Sequence, residues 1–532
     1  MAKRGFKLEA LESFSGGLNF RTDQFNLASN ESPDLLNVDV DPRGGIRLRK
    51  GVTVVDPSNA QGNNIQGMAS FYTDAGLKVV VANYGTSVIQ ANVYDATATW
   101  QPVTGQAART SPSRLYGVTM NNLFYGVSGN GDTSFKVTAG LSGTNLGTTL
   151  DGSAGNFPSA QYVTVWNNFM WTGKIVEGGT AYNSRIRWSK LNDPESWVNT
   201  DWVDIDVGEH GDVVTALVPL ADRLLVFKSH SVHAMYGDSS ETFSLVTLSR
   251  EVGSVALSSP VATPYGVFFW HDEQGLYAYN GESFVYLFDK IMPALEDNRI
   301  RFNTAPQLAW FRNRLYISLD WTEDGGAIVR RCLVYDPTLG QQGSFVMNDI
   351  DADSLHVHTP PGQAPILLAA CDSAANLGRV VKVEQQRHTD NYGGVTAAAI
   401  TSYFTTPWVS GKNPIVRKRW GKPRFIMDTS ATGTVNVQVY KDYDKATATS
   451  LQFDVVGRGS TSVWDTATWN SADGTVGTGF WAATADTSIT DIIKLTTLGT
   501  ARSIALKVNG PNHTSAWEVN GMMFTYVPRR MR

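Results

Sequence analysis

A strand–turn–strand unit recurs through the middle of this chain, and its period restricts the fold more than any other feature. Each unit joins an apolar strand, a short turn and a second strand rich in aromatics. Examples are Leu115-Tyr-Gly-Val-Thr-Met-Asn-Asn-Leu-Phe-Tyr125, Tyr162-Val-Thr-Val-Trp-Asn-Asn-Phe-Met-Trp171 and Leu308-Ala-Trp-Phe-Arg-Asn-Arg-Leu-Tyr-Ile317. The turns fall near residues 75, 121, 167, 222, 265, 313 and 363, at intervals of 43–55 residues. A hairpin alone leaves an apolar face in water, so successive units must stack. A period of roughly 40–50 residues with about four strands per unit is the mark of a β-propeller. The spacing predicts six or seven blades over residues 61–385. The competing arrangement is a sandwich of unrelated hairpins, since the copies share pattern and spacing but few identities.

The rest of the chain also reads as all-β. Hydrophobic residues make up 42% of it and charged residues 17%, with 49 Gly, 15 Trp, 19 Tyr and 23 Phe, which suits a packed core cut by many turns. One short helix is expected, around Ile291–Arg299, with Pro293 in its first turn. Residues 386–400 read as a connector. Residues 401–532 read as a second β-rich domain, most simply a β-sandwich, because Val435–Tyr440 and Ser503–Val508 alternate as half-buried strands do. Residues 1–60 form an N-terminal strand or docking segment. Its stretch 14–51 has too few apolar residues for a core of its own, so its strands should pair with a later part of the chain or with a neighbouring subunit.

Charge is unevenly placed. The net charge is −5, yet residues 51–400 carry 21 Lys and Arg against 33 Asp and Glu, while residues 401–532 carry 15 against 9. The whole chain is therefore no polycation built for phosphates, and its two parts suit different neighbours. The basic N-terminus is followed by no apolar signal region, and no apolar run reaches the length of a membrane span. Cys332 and Cys371 lie in apolar stretches and are expected to be buried free thiols, consistent with folding in a reducing cytosol.

No catalytic residue, cofactor site or metal site is assigned. Asp349, Asp351 and Asp353 alternate as calcium ligands can, but the glycine and the twelfth-position Glu of a calcium loop are missing, so a solvated acidic loop is expected. His356 and His358 share one face of a strand without a third ligand at a sensible spacing. Ser471-Ala-Asp-Gly-Thr475 is a single sialidase-like fragment outside the repeats, and no nucleophile elbow, P-loop or zinc-protease motif occurs. The densest basic run is Arg417-Lys-Arg-Trp-Gly-Lys-Pro-Arg424. Arg417, Lys418, Arg419, Trp420, Lys422 and Arg424 are the candidate interface. They could meet phosphates with Trp420 stacking on bases; the preferred reading is an interface to an acidic neighbouring protein.

The order of several segments resembles the tail tubular, or nozzle, proteins of short-tailed bacteriophages, the family that includes packaged-DNA stabilisation proteins. The segments are Phe14-Ser-Gly-Gly-Leu-Asn19, Ser32-Pro-Asp-Leu-Leu-Asn37, Gly44-Gly-Ile-Arg-Leu-Arg-Lys-Gly51, Trp166–Gly173, Ile186–Trp197 and Gly275–Gly281. The resemblance covers residues 10–350 and fades beyond them. It implies a virion tail component that assembles with itself as a ring, a hexamer, below the portal and adaptor. It further implies tail fibres or spikes as neighbours, and double-stranded DNA retained and then passed without sequence specificity. The alternatives are a propeller-type tail adhesin for a host glycan and a glycan depolymerase.

Overall fold

The computed structural model describes residues 7–57, 62–95, 97–110, 113–129, 131–206, 212–254, 260–301, 306–339, 343–393, 397–421, 423–429, 433–455, 498–510 and 516–529. Lys422, His210, His513 and Ser471–Thr475 lie outside them.

The seven hairpins found in the sequence are the first two strands of seven blades. The innermost strands are Ile65–Tyr72, Tyr116–Met120, Ser159–Trp166, Val214–Pro219, Val261–Thr263, Gln307–Phe311 and Ser354–His358. In blades 1 to 6 each begins an antiparallel meander in which the next three strands of the blade pair in order. The turns explain the repeat. Asn121 and Asn122, Asn167 and Asn168, and Arg312 and Asn313 all take positive φ in consecutive pairs, between 49° and 62°. Two such residues make the tight turn whose twist matches that of the flanking strands, and Asn tolerates it best after Gly.

The innermost strands stand side by side around a ring, and that of blade 7 lies against that of blade 1. The chain is a seven-bladed β-propeller. Blade 7 has only three strands of its own; its outermost strand is Thr53–Val54, paired antiparallel with Val380–Lys382. Residues assigned from sequence to the N-terminal segment therefore belong to the propeller, and its boundary moves back from residue 61. The exchange ties the two ends of the ring together, so that opening it requires breaking a blade rather than parting two faces.

Both faces of each blade are buried against its neighbours. Phe71, Phe124 and Phe135 pack between blades 1 and 2, Trp171 and Leu224 between blades 3 and 4, and Phe227 and Phe269 between blades 4 and 5. Burying each such side chain contributes about 1.5–3 kcal/mol before the entropy cost of ordering it. The expected helix is present as Met292–Glu296, with Pro293 in its first turn.

The second region is a pair of sheets completed by the N-terminal segment. In one sheet the long strand Trp517–Pro528 pairs along one edge with Lys418–Trp420 and Arg424–Thr429. Its other edge takes Lys7–Leu11 and Ile46–Leu48. The second sheet runs Leu35–Leu36, Tyr403–Thr405, Ile504–Asn509, Gly433–Lys441 and Asp444–Val455. Trp420, Phe425, Trp517 and Phe524 from the first sheet share a core with Phe404, Val437, Leu506 and Val508 from the second. That core continues without a break into blades 5 to 7, through Trp270, Phe288 and Phe345. The N-terminal strands are thus shared among the sandwich and the propeller and have no fold of their own.

Candidate interaction surface and a closed axis

The Gly44–Gly51 segment is where the two bodies are fastened. Gly44 takes φ +93° in a turn closed by hydrogen bonds from Asp41 N–H to Gly45 O and from Gly44 N–H to Asp41 O, and the strand after it buries Ile46 and Leu48. Strict alternation would leave Arg47 and Arg49 outside. Arg49 instead turns inward and is 1% exposed. Its guanidinium donates two hydrogen bonds to the Asp390 carboxylate at 2.6 and 2.9 Å, one to Asp349 at 2.8 Å and one to the Asn37 side chain at 2.7 Å. One side chain thus joins the N-terminal segment, the loop between blades 6 and 7, and the stretch beyond blade 7. Gly51 is required for the same reason, since a Cβ there would run into the Thr389 backbone.

The acidic loop is not solvated. Asp349 holds Arg49, while Asp351 and Asp353 are buried. Asp353 pairs with Arg330 at 2.8 Å, and Arg330 also holds Asp320 at 2.8 Å and Asp372 at 3.0 Å. Asp351 accepts hydrogen bonds from Ser373 and Asn376. Burial raises the carboxyl pKa of both Asp351 and Asp353. Carboxylates committed to arginines and hydroxyls in this way knit blades together; among the described residues no group of three His, Cys, Asp or Glu is arranged to hold a metal ion.

Arg114 had no signal in the sequence. It precedes the innermost strand of blade 2, yet its Nη1 donates to Gln307 Oε1 at 2.7 Å in blade 6 and lies 3.4 Å from Ser354 Oγ in blade 7. Asp353 stands 3.9 Å from its Nη2. A side chain from one side of the ring that reaches blades on the other side bridges the axis.

His356 and His358 point from blade 7 at one hydroxyl of blade 1. Ser70 Oγ lies 2.8 Å from His356 Nε2 and 2.8 Å from His358 Nδ1. The hydroxyl can donate to one ring and accept from the other, as neutral imidazoles allow, while His358 Nε2 is buried without a hydrogen-bond partner among the described residues. Burial lowers both pKa values, to about 3 for His356, with help from His358, and to about 4 for His358. The pair is a seam between the first and last blades.

The basic run splits by strand alternation. Lys418 and Trp420 face inward. The Lys418 ammonium donates to the carbonyls of Asn413, Val416 and Arg502, and Trp420 Nε1 donates to Ala501 O at 3.1 Å. Neither can face a partner, because each is only 1% exposed. Arg417, Arg419 and Arg424 are exposed on the outer side of the same sheet, and among the described residues none of them is paired with a carboxylate. Leu8, 60% exposed, lies on an edge strand on the far side of Trp517–Pro528. Among the described residues the candidate interface therefore reduces to three exposed arginines on one face of the sheet.

No protein-family model and no curated protein sequence matches the chain. Solved structures similar to it include YjhT, at 9% identity and TM-score 0.34 over 55% of this chain and 99% of that one. A catalytically inactive virginiamycin B lyase from Staphylococcus aureus is similar at 9% identity and TM-score 0.37, over 63% of this chain and 99% of the lyase. YCF48 bound to D1 peptide is similar at 13% identity and TM-score 0.35, over 66% and 98%. These are β-propeller proteins, and at such values nothing of what they bind or cleave carries over. No helix among the described residues is long and apolar enough to cross a membrane.

Proposed function

We propose that this chain is a structural subunit of the tail of a short-tailed bacteriophage, a nozzle protein that assembles as a ring below the portal and adaptor, retains packaged DNA and conducts it at ejection. The observation that carries this reading is the Gly44–Gly51 segment. It is the most distinctive part of the resemblance, and its Arg49 and Gly51 sit where the propeller, the connector and the sandwich meet. A subunit that bears load between portal and cell surface needs its parts fixed to one another. The bridged axis fits as well, since a conduit then has to lie between copies rather than through one propeller. In this reading the virion tail is where the protein acts, it turns over no substrate, and Arg417, Arg419 and Arg424 face protein rather than DNA. An acidic propeller wall beside DNA would repel phosphates and leave the duplex free to slide. Negative-stain imaging of the assembled particle tests this. Density for the chain should form a closed ring on the tail axis. Peripheral trimers would refute the nozzle reading and favour an adhesin; hydrolysis of host polysaccharide by the purified chain, lost on changing one carboxylate, would refute the structural role altogether.

A further inference from the structure

An aromatic corner opens between the N-terminal segment and the tip of a sandwich hairpin. Phe25, Trp408 and Tyr443 line a cavity of about 300 Å³ together with Asp23 and Gln24. The Phe25 and Tyr443 rings are 4.2 Å apart between centroids and inclined at 50°; Trp408 and Tyr443 are 4.9 Å apart at 55°. Phe25 is 58% exposed, a large apolar surface to leave in water. Tyr443 occupies the turn between the Gly433–Lys441 and Asp444–Val455 strands at φ +67°, a conformation that favours Gly or Asn and penalises a bulky side chain. Strain of this kind is retained where the side chain is needed. Asp23 Oδ1 accepts the Phe25 N–H, and among the described residues no cation pairs with the Asp23 carboxylate.

We propose that this corner receives an arginine side chain from a second copy of the chain, drawn from the outward set Arg417, Arg419 and Arg424. The inference rests on the ring reading above and names the contact that would build the ring. Rings set at an angle to one another offer a cation more than one aromatic face. An open carboxylate beside aromatic faces selects positive charge, and a guanidinium both stacks on rings and forks onto a carboxylate. The same chain displays three arginines that lack carboxylate partners among the described residues, so the two surfaces complement each other in charge. Contact between unlike surfaces repeats from copy to copy and closes into a ring when the rotation permits.

Sedimentation velocity of the full chain provides the test, with two variants. The pocket variant carries Asp23→Asn and Tyr443→Ala; the arginine variant carries Arg417→Gln, Arg419→Gln and Arg424→Gln. Wild type should self-associate, and each variant alone should do so at least about tenfold more weakly. Mixed in equal amounts, the two variants should form a heterodimer, because the arginine variant keeps its pocket and the pocket variant keeps its arginines. A folding defect in either variant would not produce that rescue. Wild-type association that either variant retains in full would overturn the inference and leave the ring reading standing, as would a mixture that fails to pair. A wild type that stays monomeric at every concentration would overturn both. Quenching of wild-type tryptophan fluorescence by methyl glycosides, lost in the pocket variant, would assign the corner to a glycan and also overturn the inference.

Discussion

Two residues carry consequences far beyond their own size. Arg49 is a buried cation whose stability depends on the fork it makes with Asp390. Removing one member of a buried, hydrogen-bonded charge pair costs about 3–5 kcal/mol, because the partner is left uncompensated. Arg49→Met should therefore lower the unfolding free energy by about that amount, and Arg49→Lys should recover little, since an ammonium cannot fork. Urea titration followed by tryptophan fluorescence measures both; an unchanged midpoint in Arg49→Met would show that the joint is not held here. The histidine seam makes stability depend on pH. Its folded-state pKa values, about 3 and about 4, lie below the value near 6.5 of an unfolded imidazole. The seam's contribution is thus complete above that value. It is lost as pH falls toward the folded values, by up to about 1.4 kcal/mol per pH unit for each ring. Asp351 and Asp353, with raised pKa values, act in the opposite direction, so the difference between wild type and a His356→Gln, His358→Gln variant isolates the pair. The variant should show a shallower loss of stability between pH 6.5 and 4; identical slopes would mean that these imidazoles are protonated in the folded state.

At the scale of single strands, alternation assigns opposite roles to adjacent residues of one basic run. Lys418→Gln should destabilise the fold by about 1–3 kcal/mol, because the buried side chain would leave three carbonyls without their charged donor. Arg419→Gln, on the exposed side, should change stability by no more than about 0.5 kcal/mol. Thermal melts of the two variants compare them directly, and equal destabilisation would contradict the strand's register. The hairpin turns behave in the same local manner. Asn pairs at positive φ were legible as turns because the chemistry that permits them lies within two residues. The seven turns in the sequence correspond one for one to the first hairpins of the seven blades.

A core shared between propeller and sandwich predicts that the whole molecule unfolds as one cooperative body. Blades 5 to 7 and both sandwich sheets contribute to a single buried cluster, and the N-terminal strands enter both. Calorimetry should accordingly show the propeller and the sandwich melting in one transition. A chain begun at residue 58 loses the outermost strand of blade 7, two strands beside Trp517–Pro528 and Arg49 together. It should lose that transition entirely. Two separate transitions in the full chain, or a native-like melt of the truncated one, would show that the bodies fold independently.

By itself the sequence determined the all-β class, the repeat, the turn positions, the short helix and the dependence of residues 14–51 on partners elsewhere. These follow from two-residue periodicity, turn chemistry and local apolar content, all of which act between near neighbours in the chain. Only the tertiary structure decided that there are seven blades, that the last is completed by Thr53–Val54, that Arg49 turns inward, and that the acidic loop is buried. The same holds for the burial of Lys418 and Trp420, for the Arg114 bridge and for the corner formed by Phe25, Trp408 and Tyr443. The physical reason is separation along the chain. Arg49 and Asp390 are 341 residues apart, and Arg114 and Gln307 are 193 apart. A charge or an aromatic ring carries no local mark of which partner it will meet once the ring has closed.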